Sequence, residues 1–210
     1  MKHIAKNPEA TEFTDWKKEW KRNNKNVAPG WGEFDGKPMK QIVKVALIEE
    51  QGGLCCFCES RVGMDSGHIA HLLDRSNHPE LALEHNNMLY SCLENPKGVP
   101  QTCGQSQGNK TLPITPLDAD CEQRFIYTET GAIAPRDEND VKAIQTIRIL
   151  NLDDKRAVFR GDRAKAYQSV EKARQEMTPD DFSLWINAEL EQKPFKPFWT
   201  TIKYAADLYS

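Results

Sequence analysis

Between Gly53 and His71 the chain reads GLCCFCESRVGMDSGHIAH, nineteen residues that hold three of its six cysteines and two of its five histidines. Thiolate and imidazole are strong soft and borderline metal donors. Imidazole also changes charge near neutral pH. The stretch therefore offers metal binding and proton transfer. Cys55 and Cys58 form a C-x-x-C directly after Gly52-Gly53, and Cys92 and Cys103 follow later. Four thiolates suit tetrahedral zinc in a closed structural site. Ten residues part Cys92 from Cys103, so the second pair is the weaker half of the pattern. C-x-x-C is also a thiol–disulfide motif, but that use needs a helix beginning at the first cysteine. Here a helix is expected to end before Cys55. Buried free thiols are the third reading. Cys56 is expected to point away from the metal, and Cys121 to be a small buried apolar residue.

His68 and His71 stand at the exit of this knuckle as GHIAH, and Asn86 and Asn87 follow as LALEHNNMLYSC. A single loop histidine is ordinarily surface. Two beside a metal knuckle, with an asparagine fifteen or sixteen residues on, are a candidate reaction centre. Arg61, Arg75, Lys97 and Lys110 are the nearby cations. Arg75 follows the histidines closely, and guanidinium matches phosphate geometry; the plain alternative is a solvated loop arginine.

Helices are expected around this centre. Residues 11–26 carry Phe13, Trp16 and Trp20 at helical spacing, with Thr11 or Thr14 as cap and Lys17, Lys18, Lys21 and Arg22 on a basic face. Residues 27–37 read as loop. Residues 38–51 form a second helix with Ile42, Val45, Ala46 and Ile48 toward a core, ended by Gly52-Gly53. Residues 54–71 read as a zinc-stapled hairpin whose second strand begins at Gly67, and residues 72–84 as loop with a short helical turn. Asn87 to Cys92 could open a helix. From Glu94 to Asp120 the chain reads as a long polar loop, then as a hairpin at 125–127 and 131–133. Three helical segments follow, placing Val141, Ile144, Ile147 and Leu150, then Val158, Ala166, Val170 and Ala173, on inner sides. Thr178 caps the next, with Pro179 at its first position. PFWTTIKYAADLY closes the chain.

The 210 residues allow one sizeable core or a small module joined to helices. Net charge is -3 and mean hydropathy is -0.68, so broad nonspecific nucleic-acid binding is disfavoured while a local basic patch is not. No apolar run approaches a membrane span, and the N-terminus lacks the apolar core of a secretory signal. The expected compartment is the cytoplasm, with no membrane contact. There cysteine clusters more often hold metal than form disulfides.

The ordered set MKHIAKNPEATEF, LIEEQGGLCCFCE, GHIAH, NNMLYSC, TCG, PLDADCEQRFIYTETGAI and TIRILNLDDKRAVFR, covering residues 1–163, resembles the PtuB-like HNH endonucleases of Septu and retron-associated antiphage systems. The resemblance implies an α+β fold: a mostly helical chain enclosing a zinc-stapled ββα-metal (HNH) nuclease module at residues 53–135. A helical region would precede it (1–52) and another follow it (136–210). It implies a DNA endonuclease with His71 as general base and Asn87 orienting the base region. Cys55, Cys58, Cys92 and Cys103 would hold structural Zn²⁺, and a catalytic Mg²⁺ or Mn²⁺ would be expected. The family usually places an acid just before the base, as a metal ligand. Here that residue is Ala70, and His68, on the same strand face, is the expected substitute. Asn95, Gln105, Asn109 or Asp118 would fill the third motif position. The alternative is a weakened HNH-fold subunit that binds nucleic acid or its partner without efficient cleavage. The implied partners are DNA, a PtuA-like ABC-type ATPase, and in retron systems a reverse transcriptase with its RNA–DNA product. Trp185, Phe195, Phe198, Trp199 and Tyr204 are candidate interface aromatics. The chain has no G-x-x-x-x-G-K-[ST] of its own.

Overall fold

The computed structural model describes residues 1–93, 95 and 97–209, with all their side chains but that of Val158. Among these residues, eight α-helices surround two small antiparallel hairpins. The first helices are α1 (Thr11–Asn23), α2 (Trp31–Phe34) and α3 (Pro38–Glu50). Thr11 lies inside α1 and the cap position is Ala10, with no side-chain bond; Thr14 instead bonds Glu9. The stretch expected to be loop contains α2. In α3 the inward residues are Val43 and Leu47, while Ile42 and Val45 are exposed. The apolar residues of this helix cover most of its circumference, so composition alone did not set its phase. Gly52 (φ 63°) and Gly53 (φ 77°) turn the chain out of α3 in the left-handed conformation.

The central hairpin pairs β1 (Gly67–His71) with β2 (Met88–Cys92), setting Gly67 opposite Cys92 and His71 opposite Met88. The partner of β1 is therefore not the cysteine knuckle, and NMLYSC is a strand rather than a helix opening. So short a run, apolar but for Ser91, carries no period that separates the two. Its extended form is held from both sides. β1 bonds one edge, and the buried Gln51 amide bonds the other, accepting from the Tyr90 N–H (2.7 Å) and donating to its carbonyl (2.8 Å). After a connection that contains α4 (Cys103–Gln107), the second hairpin pairs β3 (Phe125–Tyr127) with β4 (Ile133–Pro135). Glu94, the expected start of the long loop, lies outside the described residues. The order β1, β2, α4 is ββα.

The rest is α5 (Val141–Leu150), α6 (Val158–Glu176), α7 (Pro179–Glu191) and α8 (Trp199–Asp207). In α5 the buried residues are Ala143, Thr146 and Leu150, and Val141 is exposed. Val170 and Ala173 of α6 are buried as expected, joined by Phe159 and Tyr167. Val158, expected beside them, lies outside the described side chains. Thr178 caps α7 by accepting from the Asp181 N–H at 3.2 Å. One continuous buried cluster runs from Met1 through the knuckle and the ββα unit to α8. Trp185, Phe195, Phe198, Trp199 and Tyr204 pack within the chain: Phe198 is buried and the other four are partly buried. No helix among the described residues is long and apolar enough to cross a membrane.

The α3 exit yields a stability prediction. A Cβ on Gly52 would lie 2.1 Å from the Phe195 ring, and Phe195 donates its backbone N–H to the Gly52 carbonyl. Gly52→Ala adds left-handed strain to overpacking. Urea denaturation should show a loss of about 2–4 kcal/mol; an unchanged midpoint would mean that this turn relaxes freely.

Candidate functional site

Three segments bring the four cysteines together. The knuckle is closed by an isolated bridge between Leu54 and Arg61, with the Cys55 N–H on the Ser60 carbonyl, and supplies Cys55 and Cys58. β2 ends in Cys92, and α4 begins with Cys103. All four sulfur atoms lie within 4.8 Å of one another, and those of Cys58 and Cys92 are 4.0 Å apart. Metal–sulfur bonds of about 2.3 Å in a tetrahedron set sulfurs roughly 3.8 Å apart, so the cluster can hold a metal ion. Burial, then hydrogen bonds with Cys55, Cys58 and Cys92, pushes the Cys103 thiol well above its ordinary pKa. Cys55 moves down: burial opposes its ionisation, but bonds from Cys103, Cys56, Cys58 and Cys92 outweigh it. Crowded, buried thiols cannot all ionise without a compensating cation. Cys56 stands outside the quartet, its thiol pushed up by burial. Cys121 is fully buried, near the Met1 carbonyl.

On the far side of β1 lies a polar cleft of about 580 Å³, walled by β1, the turn at Asp74–Ser76 and the segment from Gly104 to Asn109. His68 and His71 both line it. His71 Nε2 is 2.9 Å from the Ala82 carbonyl. A carbonyl only accepts, so Nε2 carries the proton and donates, leaving Nδ1 as the ring's basic nitrogen. Burial lowers the His71 pKa to about 4; the Ala82 bond opposes that shift, and Arg75 and His68 add to it. Asn87 is buried. Its Oδ1 accepts from the Leu73 N–H at 2.8 Å, and its Nδ2 donates to the carbonyls of Leu73 (3.0 Å) and Leu81 (3.1 Å). It ties the segment after β1 to the turn that presents the Ala82 carbonyl.

Gly104 lets α4 approach β1 closely: a Cβ there would lie 2.9 Å from His68 Nε2 and 3.2 Å from the Ala70 Cβ. Ala70 is buried and offers no donor. Gln105 and Asn109 line the cleft. Asn95 and Asp118 do not: Asn95 bonds Pro100 and Thr102, and Asp118 bonds the Thr115 N–H. Gln107, deeper in the wall, donates to the carbonyls of His71 and Leu72 at 3.1 Å each. The Asp74 carboxylate accepts from Ser76 and Asn77 in its own turn. Of the nearby cations, Arg61 is bound to the carbonyls of Gly52, Gly53 and Phe195, away from the cleft, whereas Arg75 is exposed at its rim. Lys17 of the expected basic face is bound to Glu9 (2.6 Å) and the Leu83 carbonyl (3.3 Å).

Sequence reasoning missed two supports. Glu50 accepts from Lys6 Nζ (2.5 Å), the Asn7 N–H (2.6 Å) and His85 Nε2 (3.1 Å). Lys6 also donates to the carbonyl of Met88, the residue opposite His71. Trp31 packs against the His71 ring with centroids 5.0 Å apart and planes at 77°. The one available signal was a tryptophan set between glycines in a stretch otherwise read as loop.

No protein-family model matches the chain. Over 107 residues it is 32% identical to a Vibrio cholerae serotype O1 biovar El Tor protein described as "Retron Vc95 putative HNH endonuclease". The match covers 50% of this chain and 51% of that protein, so the chain spans about half the length of the curated relative it matches. The ββα order and a cysteine cluster able to hold a metal ion are consistent with an HNH-like ββα-metal module.

The environment of His71 is measurable by imidazole NMR, which should find a midpoint near 4. Above about 6.5 the ring is neutral folded or unfolded. As pH falls from about 6.5 toward 4, the unfolded chain takes the proton first, so stability falls through that window. The stability difference between the protein and His71→Asn should narrow over the same range. A midpoint near 6.5 would mean that the ring is solvated.

Proposed function

We propose that the chain is a metal-dependent HNH-type endonuclease that hydrolyses DNA phosphodiester bonds, with His71 as general base. The observation that carries this reading is the His71–Ala82 bond, which fixes the proton on Nε2 and leaves Nδ1 basic in a polar cleft. His71 is neutral at pH 7 and so is competent to take a proton from an attacking water. Asn87 holds the base segment through backbone bonds and makes no contact that requires it to be a nucleophile. Oxygen of the activated water forms the new bond to phosphorus, and the bond to the leaving sugar oxygen breaks. Arg75 at the rim is placed to bind a phosphate.

The cysteine quartet fits structural Zn²⁺ by donor chemistry and spacing. In the cleft, His68, the Asp74 carboxylate and the amides of Gln105 and Asn109 are the donors on offer. An imidazole with amide oxygens suits Mn²⁺ better than Mg²⁺, which favours an oxygen shell. A divalent cation bound there would supply positive charge to the phosphate and the leaving oxygen. The assignment to PtuB-like proteins and the antiphage role rest on the sequence resemblance. So do the PtuA-like ATPase and the reverse transcriptase with its RNA–DNA product as partners; the Vibrio relative's printed name supports the retron setting. Ala70, buried where the family carries an acid, favours a second reading: an HNH-fold subunit that binds nucleic acid or its ATPase with little cleavage.

Elemental analysis should find about one zinc per chain, and Cys58→Ala should unfold the knuckle, because metal binding of order 10 kcal/mol is folding energy in such sites. A folded, metal-free protein would remove the zinc assignment. For catalysis, plasmid cleavage with Mn²⁺ and the partner ATPase should fall about 10²–10⁴-fold in His71→Ala. Undiminished cleavage by that variant, if folded, takes His71 out of the mechanism. Ala70→Glu should tighten Mn²⁺ binding and raise cleavage. Absence of cleavage in both the protein and Ala70→Glu, with the ATPase bound, would favour the second reading.

A further inference from the structure

We propose that Trp31, from outside the ββα unit, is the positioning residue of the cleft: one indole buttresses the His71 imidazole and holds the Arg75 guanidinium as a contact for a DNA phosphate. The inference rests on the nuclease reading for the use of the cleft, but its geometry is independent of it. Arg75 Cζ lies 4.1 Å from the Trp31 ring centroid, well within cation–π range. The same indole meets the His71 ring at 5.0 Å, nearly perpendicular. The indole is itself anchored. Phe34 packs against it at 5.2 Å. Lys40 and the Trp31 side chain both bond Asp35 and hold its carboxyl below the usual range.

Arg75 makes a serviceable phosphate contact only if its planar fork is held in place. A free arginine at a loop rim loses rotamer entropy each time it binds. Stacking on Trp31 limits that loss, and it leaves the N–H edge of the guanidinium open to an anion. The Arg75 side chain shows no carboxylate partner among the described ion pairs, and its loop neighbour Asp74 is engaged by Ser76 and Asn77. Base and phosphate contact therefore share one rigid support. This also gives a reason for a half-buried tryptophan in α2, a four-residue helix whose one buried residue, Phe34, already fills the core.

The test is binding of a fluorescein-labelled DNA duplex by the zinc-loaded full chain, without added Mg²⁺ or Mn²⁺, across a salt series. Arg75→Ala should weaken binding about 3- to 10-fold and lower the slope of log K against log salt by about 0.9, the value of one phosphate contact. Trp31→Leu should produce the same loss, and the double variant no further loss, since the two act as one unit. Trp31→Phe, which keeps a ring, should recover most of it. In parallel, the His71 imidazole proton resonances, shifted by the adjacent indole, should move in Trp31→Leu and less in Trp31→Phe. Additive losses, or a full slope and unmoved His71 resonances in Trp31→Leu, would overturn the proposal. Should Trp31→Leu fail to fold, Arg75→Ala decides: the Trp31 indole N–H resonance must move when the guanidinium leaves its face, and an unmoved resonance overturns the pairing. None of these readouts needs cleavage. A chain that binds as stated but, in the separate assay with Mn²⁺ and the partner ATPase, cuts no DNA removes the nuclease reading and leaves this inference standing. A chain that cuts while neither substitution alters the salt slope does the reverse.

Discussion

Four sulfurs, three buried and the Cys92 one half-buried, cannot all carry charge within 4.8 Å of one another unless a cation sits among them. That constraint organises the centre of this molecule. The knuckle, the end of β2 and the start of α4 come from separate stretches of chain, and none buries enough apolar surface to fold alone. A metal at the quartet would close all three at once. β1 pairs with a strand whose far end would then be pinned at Cys92, in the register that places His71 opposite Met88. α4, which begins at Cys103, brings Gly104 against His68 and Ala70, and Gln105 and Asn109 line the cleft. The cluster thus supports the cleft through the two elements that carry Cys92 and Cys103.

The opposite end of β2 is held by charge rather than by sulfur. Burial pulls the Glu50 pKa up, yet bonds from His85 and Lys6 outweigh it and keep the carboxylate below its ordinary value. Lys6 is drawn down by its own burial and partly restored by Glu50. Such a pair is costly to break, because removing one partner strands a desolvated charge. It clamps the start of β2 next to Asn87, whose amide bonds in turn set the Ala82 carbonyl and hence the His71 proton. The N-terminal stretch and α3 are therefore structural parents of the cleft, and they reach His71 through this chain of bonds.

The donors were legible in the sequence; their neighbours were not. Cysteine and histidine announce themselves by type, and the knuckle spacing narrows where they meet. Cys55, Cys58, Cys92 and Cys103 converge, and His68, His71, Gln105 and Asn109 share one cleft. The strand at 88–92 was misread because so short and largely buried a run shows neither period, and its extended form is held by β1 and by Gln51, at the end of α3. The phases of α3 and α5 were misread because each has more apolar residues than its buried stripe needs. Asn95 and Asp118 looked as suitable as Gln105 and Asn109 by type; only the path of the chain after Thr102 separates them. Trp31 left a single trace, its place between two glycines, since contact across forty or more residues has no local signature.

The His71 environment sets a tension that the cleft must resolve. Burial makes the ring neutral, which a general base requires, but an imidazole with a pKa near 4 is a weaker base than one near 7. Arg75 adds to the depression through its charge. An anionic phosphate bound at Arg75 acts the other way: it neutralises that cation and favours the imidazolium. On the nuclease reading, basicity at Nδ1 would rise when a strand is seated and fall when it leaves. A guanidinium that bound the phosphate would couple its arrival to the strength of the base, and that coupling would require Arg75 to stay close to His71, where its contact with the Trp31 ring holds it.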